Sequence, residues 1–145
     1  MATQSEMNET RQQRLLVVDD EPSICELVRR VAESAGFVVA TAVTHAQFRA
    51  AYDGFKPSAI LFDLVMPEVD GVALLKILAD AHCDARLMIM SGYHPELLKN
   101  GQRLADDYEL DVRGTLRKPF GVAELQNALR TLTEENQDLR SLANG

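Results

Sequence analysis

The sequence predicts an α/β chain built on a doubly wound, five-stranded parallel sheet, strand order 2-1-3-4-5, with five helices covering its two faces. Short apolar runs such as Leu15-Leu16-Val17-Val18 and Ala59-Ile60-Leu61-Phe62 alternate with stretches of helical periodicity, the sign of βαβ units. Right-handed crossovers then leave that winding as the natural order. Charged residues end three of the runs: Asp19 and Asp20, then Asp63, then Lys118. Strand carboxyl ends line the ligand crevice of such sheets, so these charges should meet there.

Each element has a local reason. After the first strand, Pro22 suits the first turn of a helix, where its missing N–H costs nothing. Ile24, Leu27, Val28, Val31, Ala32 and Ala35 recur at helical spacing, and Gly36 is a C-terminal stop. Phe37 to Thr41 is the second strand, and Thr44 with Gln47 forms a capping-box pattern opening a helix that runs to about Gly54. The continuous apolarity of Ala59 to Phe62 places the third strand in the middle of the sheet, buried on both faces. Val72, Leu75, Leu78 and Ala79 share a face of helix three, with Asp70 as a cap. Leu87 to Met90 is the fourth strand and ends at Ser91-Gly92. Helix four carries Leu97, Leu98, Leu104, Ala105 and Tyr108 on one stripe, and Asn100-Gly101 is expected to kink or split it. The fifth strand alternates Val112, Gly114 and Leu116 against Arg113, Thr115 and Arg117, which makes it an edge strand with one wet face. Helix five begins near Gly121.

The length of 145 residues fits one domain, with boundaries expected at 1–13 for a disordered tail, 14–132 for the domain and 133–145 for a helical extension or linker. A net charge of −7 argues against non-specific binding to nucleic acid, which draws most of its affinity from a basic surface. The polar N-terminus lacks the apolar core of a secretory signal, and no run approaches the roughly 18 apolar residues of a membrane span. Cys25 and Cys83 have no metal-ligand spacing and read as reduced thiols, so a soluble cytoplasmic domain is expected.

Carboxylates gathered at one sheet edge repel by roughly 4 kcal/mol per pair at 4 Å and an effective dielectric near 20. A hard divalent cation and the Lys118 ammonium are the obvious compensation, which makes the cluster a phosphoryl-chemistry site. Singly, the same residues have plainer readings: Asp19 or Asp20 as a helix cap, Lys118 as a solvated lysine, Ser91-Gly92 as a turn.

Taken together, Leu15-Leu16-Val17-Val18-Asp19-Asp20-Glu21-Pro22, Asp63-Leu64-Val65-Met66-Pro67 with Asp70-Gly71, Met90-Ser91-Gly92 and Leu116-Arg117-Lys118-Pro119-Phe120 resemble the receiver domains of bacterial two-component response regulators, which are flavodoxin-like (βα)5 folds. The resemblance runs from about Arg14 to Leu132. It implies that Asp63 is the phosphoacceptor for the phosphohistidine of a histidine kinase or phosphotransfer protein. It implies Mg2+ bound by Asp20 and Asp63, by Asp19 through water, and by the backbone carbonyl of Val65. Lys118 would pair with Asp63 and then with a phosphoryl oxygen, Ser91 would hydrogen-bond another, and the bond before Pro119 would be cis. The output would be a downstream effector protein or output domain, and the chain would catalyse only its own phosphotransfer and dephosphorylation. His45, His82 and His94 receive no phosphodonor role.

Two departures stand out. The family usually has Tyr or Phe where this chain has Thr115, so the usual coupling between Ser91 and an aromatic on the fifth strand lacks its ring. The switch is then expected to run through the loop after Ser91 and helix four. The segment from Ser91 to Lys118 is longer than in compact members and is similar to receivers attached to cyclic-di-GMP-type output domains.

Leu125, Leu129, Leu132, Asn136, Leu139 and Ala143 follow a heptad seam. Up to Leu132 it doubles as the buried face of helix five. Beyond that it is either a frayed helix or a coiled coil that pairs two copies or leads to an output domain. The chain is therefore a stand-alone regulator or a receiver excised from a larger protein. A phosphatase of the haloacid dehalogenase type would need a second acid where Val65 stands, and a flavodoxin-like mononucleotide binder would be repelled by Asp19-Asp20-Glu21.

Tyr93, two residues beyond Ser91, is bulky enough to shield an acyl phosphate from water. The phosphorylated chain should lose its phosphoryl group more slowly than Tyr93→Ala, followed by intact mass over time. Equal lifetimes would refute the shielding.

Overall fold

Successive side chains along a strand fall on opposite faces of the sheet, and that alternation sorts the core of this protein into two halves. In the computed structural model, which describes residues 12–66, 71–92 and 94–134, the strands are β1 (Arg14–Val18), β2 (Val38–Ala42), β3 (Ala59–Asp63), β4 (Arg86–Ser91) and β5 (Asp111–Arg117). The helices are α1 (Pro22–Ser34), α2 (His45–Phe55), α3 (Gly71–Asp80), α4 (Pro95–Asp107) and α5 (Val122–Thr133). All strand pairs are parallel, in the order β2-β1-β3-β4-β5. Leu15, Val17, Ala59, Leu61, Met88 and Met90 pack with α1 and α5; Leu16, Val18, Ile60, Phe62, Leu87 and Ile89 pack with α2, α3 and α4. Every residue of β3 is buried, as its unbroken apolarity requires of the central strand.

The helix ends follow their chemistry. Pro22 opens α1, and Gly36 closes it in the left-handed region at φ 95°, with the Phe37 N–H reaching back to the Ala32 carbonyl. The Thr44 hydroxyl caps α2 by accepting the Gln47 N–H at 3.1 Å, and Gln47 Oε1 accepts from Val43 N–H at 2.8 Å, one residue earlier than a standard capping box would place it. Gly121 is the N-cap of α5, its N–H held by the Glu124 carboxylate at 3.0 Å.

Two expectations are corrected. Asn100-Gly101 does not split α4, which is continuous from Pro95 to Asp107. Gly101 is there for close approach: a Cβ on it would lie 3.2 Å from Leu64 Cδ1, and Leu64 directly follows Asp63. The fifth strand is an edge strand, but its alternation is broken. Leu87 pairs with Val112 whereas Met88 pairs with Gly114, so Arg113 is an extra residue. That bulge sends Val112 to the α2–α4 side and Leu116 to the α1–α5 side, although equal spacing had put them on one face.

Tyr93, Asp70 and the seam positions Asn136, Leu139 and Ala143 lie outside the described residues. Leu125, Leu129 and Leu132 are core residues of this fold, and α5 ends at Thr133 with Glu134 extended. Among the described residues no helix is long and apolar enough to cross a membrane.

Replacing Gly101 by valine forces two methyl groups against Leu64. Overpacking of this kind costs about 1–3 kcal/mol, more than the few tenths that valine gains over glycine in helix propensity. Gly101→Val should lower the urea-unfolding free energy by about 2 kcal/mol; an unchanged midpoint would remove the close-approach account.

Candidate functional site

Four strands deliver the expected residues to one crevice at their carboxyl ends. Asp19 follows β1 and is fully buried; its N–H is fixed to the Ala42 carbonyl of β2 at 3.1 Å, and its Oδ1 accepts the Glu21 N–H at 2.9 Å. This contact to the N-cap residue itself is a local turn and not a helix cap, since Glu21 is the N-cap of α1 and makes no side-chain cap hydrogen bond; Oδ2 of the same carboxylate meets the Lys118 ammonium. Asp63 ends β3 and is 6% exposed, its Oδ1 accepting the Val65 N–H at 2.8 Å. Ser91 ends β4, is 2% exposed, and its hydroxyl oxygen has no hydrogen-bond partner. Lys118 follows β5, its N–H donated to the Ser91 carbonyl at 2.8 Å, and the Lys118–Pro119 peptide is cis.

The Lys118 ammonium joins these elements. It lies 2.6 Å from Asp19 Oδ2 and 2.7 Å from Asp63 Oδ2, with Glu21 Oε1 at 3.7 Å on the rim. Asp20 completes the set: Asp19, Asp20 and Asp63 can each present an oxygen within 4.8 Å of the others. Asp19, Asp20, Asp63 and Glu21 outnumber the single ammonium, so the crevice carries an uncompensated negative charge. Burial raises the Asp19 carboxyl above its ordinary range; Lys118 offsets part of this and the neighbouring Asp63 adds to it. Burial alone would lower the Lys118 ammonium, but hydrogen bonds to Asp19 and Asp63 outweigh it and hold it above its ordinary value.

The residual charge, the oxygen-only donor set and the orphaned Ser91 hydroxyl are what a hard divalent cation and a phosphoryl group would satisfy. Thr115 is exposed on the edge strand, on the side of the sheet covered by α4. Several contributors escaped sequence reasoning. The Val65 N–H that grips Asp63 and the Ala42 carbonyl that fixes Asp19 carry no signal of their own in the sequence. Neither does Cys25, whose thiol packs 3.5 Å from the Asp19 carbonyl and is pushed up to about 11, mainly by burial.

Residues 15–130 match the family model described as the response regulator receiver domain. The chain is 29% identical over 131 residues to the DNA-binding response regulator MtrA of Mycolicibacterium smegmatis, covering 90% of this chain and 54% of that protein. It is 32% identical over 121 residues to the transcriptional regulatory protein PrrA of Mycobacterium tuberculosis, covering 82% of this chain and 49% of that protein. It thus spans about half the length of these relatives. Among solved structures, a response regulator from Colwellia psychrerythraea superposes with a TM-score of 0.72 at 29% identity, covering 83% of this chain and 96% of that one. The signal receiver domain of a putative Luxo repressor protein from Vibrio parahaemolyticus shares the fold at a TM-score of 0.74 and 18% identity, covering 92% of this chain and 98% of that one.

Uncompensated charge makes melting a direct probe of the cluster. Mg2+ at ten times its dissociation constant should stabilise the protein by about 1.4 kcal/mol and raise its melting temperature by several degrees; Asp20→Asn should abolish most of that rise. In EDTA, Asp19→Asn should melt above the parent at neutral pH. The Asp19 carboxyl titrates higher folded than unfolded, so its ionisation weakens the fold once pH rises through the folded value, and the advantage should vanish below the unfolded one. No Mg2+ response in the parent chain would sink the cation reading.

Proposed function

The chain belongs to the response regulator receiver domain family, and we propose that it is a phosphorylation switch whose phosphoacceptor is Asp63. The observation that carries this reading is the Lys118 ammonium bridging two buried carboxylates, 2.6 and 2.7 Å away, with a third acid in reach. Asp20 and Asp63 would hold Mg2+ directly, Asp19 through water, with the Val65 carbonyl as a further oxygen. Bound there, the cation supplies neutralisation of charge on the transferred group.

The rest follows from the chain's own groups. One Asp63 oxygen forms the new P–O bond as the P–N bond to a partner's phosphohistidine breaks, its electron pair remaining on the imidazole nitrogen. The Val65 N–H and the Lys118 ammonium hold the carboxylate in one orientation beforehand. Lys118 is placed to exchange its contact with Asp63 for one with a phosphoryl oxygen, and the partnerless Ser91 hydroxyl to donate to another. Such alignment and charge neutralisation account for most catalysis of phosphoryl transfer. The chain would turn over only its own phosphoryl group, in the cytoplasm, and pass the change to an effector protein or output domain. Its similarity to a longer DNA-binding response regulator, of which it spans about half, favours an output domain of that kind over the cyclic-di-GMP type. With Thr115 on β5, the change would travel through the loop after Ser91 and α4.

Incubation with Mg2+ and acetyl phosphate should add one phosphoryl group to the chain by intact mass. Asp63→Asn should add none, and Lys118→Ala should slow the gain at least tenfold. Equal labelling of Asp63→Asn, or none of the parent chain, would overturn the assignment.

A further inference from the structure

Glycine is the poorest helix former after proline, yet α4 carries one at its middle, and it is buried. Its backbone conformation does not call for glycine: the described glycines with positive φ are Gly36 and Gly114. The reason is space. At its first turn α4 leaves a cavity of about 180 Å³ next to Ser91. At Gly101 it leaves no room for a methyl group, since a Cβ there would lie 3.2 Å from Leu64 Cδ1 and 3.3 Å from Cδ2. Gly54, the glycine within α2, makes the contrast: a Cβ on it would meet nothing within 4 Å.

What Gly101 admits is the residue after the phosphoacceptor. Leu64 is 1% exposed and belongs to the half of the core that includes Leu74, Leu75 and Ala105, so its side chain has core neighbours and no open space to retreat into. Its N–H donates to the Met90 carbonyl at 3.3 Å, which carries the β3–β4 pairing one residue past Asp63. The next N–H, that of Val65, donates to Asp63 Oδ1 at 2.8 Å. The Asp63 carboxylate is thus oriented by a turn whose middle residue is pinned through its backbone to β4 and through its side chain to α4. A shift of Leu64 moves the Val65 N–H, and the oxygen that it holds moves with it.

We propose that Leu64 and Gly101 are positioning residues for phosphoryl transfer, their contact setting the turn after Asp63 and with it the orientation of the attacking carboxylate. The proposal rests on the phosphoacceptor reading of Asp63 and adds two residues that act through Asp63 rather than on the phosphoryl group.

The test follows phosphoryl gain by the full chain in Mg2+ and acetyl phosphate, by intact mass over time. A Cβ at position 101 would displace Leu64 by a few tenths of an ångström. Because a misplacement of about 1 Å can cost about a hundredfold in rate, Gly101→Ala should slow the gain about threefold to tenfold. Gly54→Ala makes the same change of helix propensity in open space and should leave the rate unchanged. Leu64→Val, which loosens the contact instead of crowding it, should also slow the gain. Combining Gly101→Ala with Leu64→Val returns the lost volume and should restore the parent rate to within about twofold, the non-additivity expected of two residues that act through one contact. In the Gly101→Ala chain the Val65 amide proton should move upfield, as a lengthened hydrogen bond to Asp63 requires. No gain in the parent chain would bring down the phosphoacceptor reading and this inference with it. Gain in the parent with an equal rate in Gly101→Ala, or a combined variant as slow as the slower single one, would overturn the positioning role alone.

Discussion

The Lys118 ammonium is the constraint around which this molecule is arranged. Two buried carboxylates from different strands, Asp19 and Asp63, approach the same nitrogen at 2.6 and 2.7 Å. Without the ammonium, both would sit in a poorly solvated crevice with only backbone N–H groups for company. With it, β1, β3 and β5 are tied across the carboxyl edge of the sheet, and the Lys118 N–H to the Ser91 carbonyl adds β4. The arrangement remains short of neutral, since Asp20 brings a further negative charge. A buried pair of this kind is weak evidence for stability. Its value lies in poise: a crevice left negative attracts a cation, and a lysine shared between two acids can change partners without leaving the site.

Much of this was legible because the signals were local and repeated. Four apolar runs each ended in a chemically distinctive residue, and parallel-sheet topology sends all strand ends of one kind to one edge, so Asp19, Asp63, Ser91 and Lys118 could be placed together without knowing any distance. Pro22, Gly36 and Thr44 marked helix ends through backbone chemistry that hardly depends on tertiary context. The failures were tertiary. Gly101 reads as a helix breaker by propensity, but its missing side chain makes room for Leu64, a neighbour distant in sequence. The alternation Val112, Gly114, Leu116 was real in the sequence and wrong in space, because one inserted residue reverses which face follows. No periodicity argument detects a bulge whose extra residue, Arg113, is itself polar and unremarkable.

That bulge has a consequence for the edge strand. By shifting the register between Leu87 and Met88 it sets Thr115 opposite Ile89, on the face covered by α4, and Leu116 opposite Met90, on the face covered by α5. A short residue therefore stands beside α4 where a large one would close the gap between helix and strand. The cavity next to Ser91 is the direct geometric result. Gly101, midway along the same helix, lets α4 sit close to Leu64, the residue that follows Asp63.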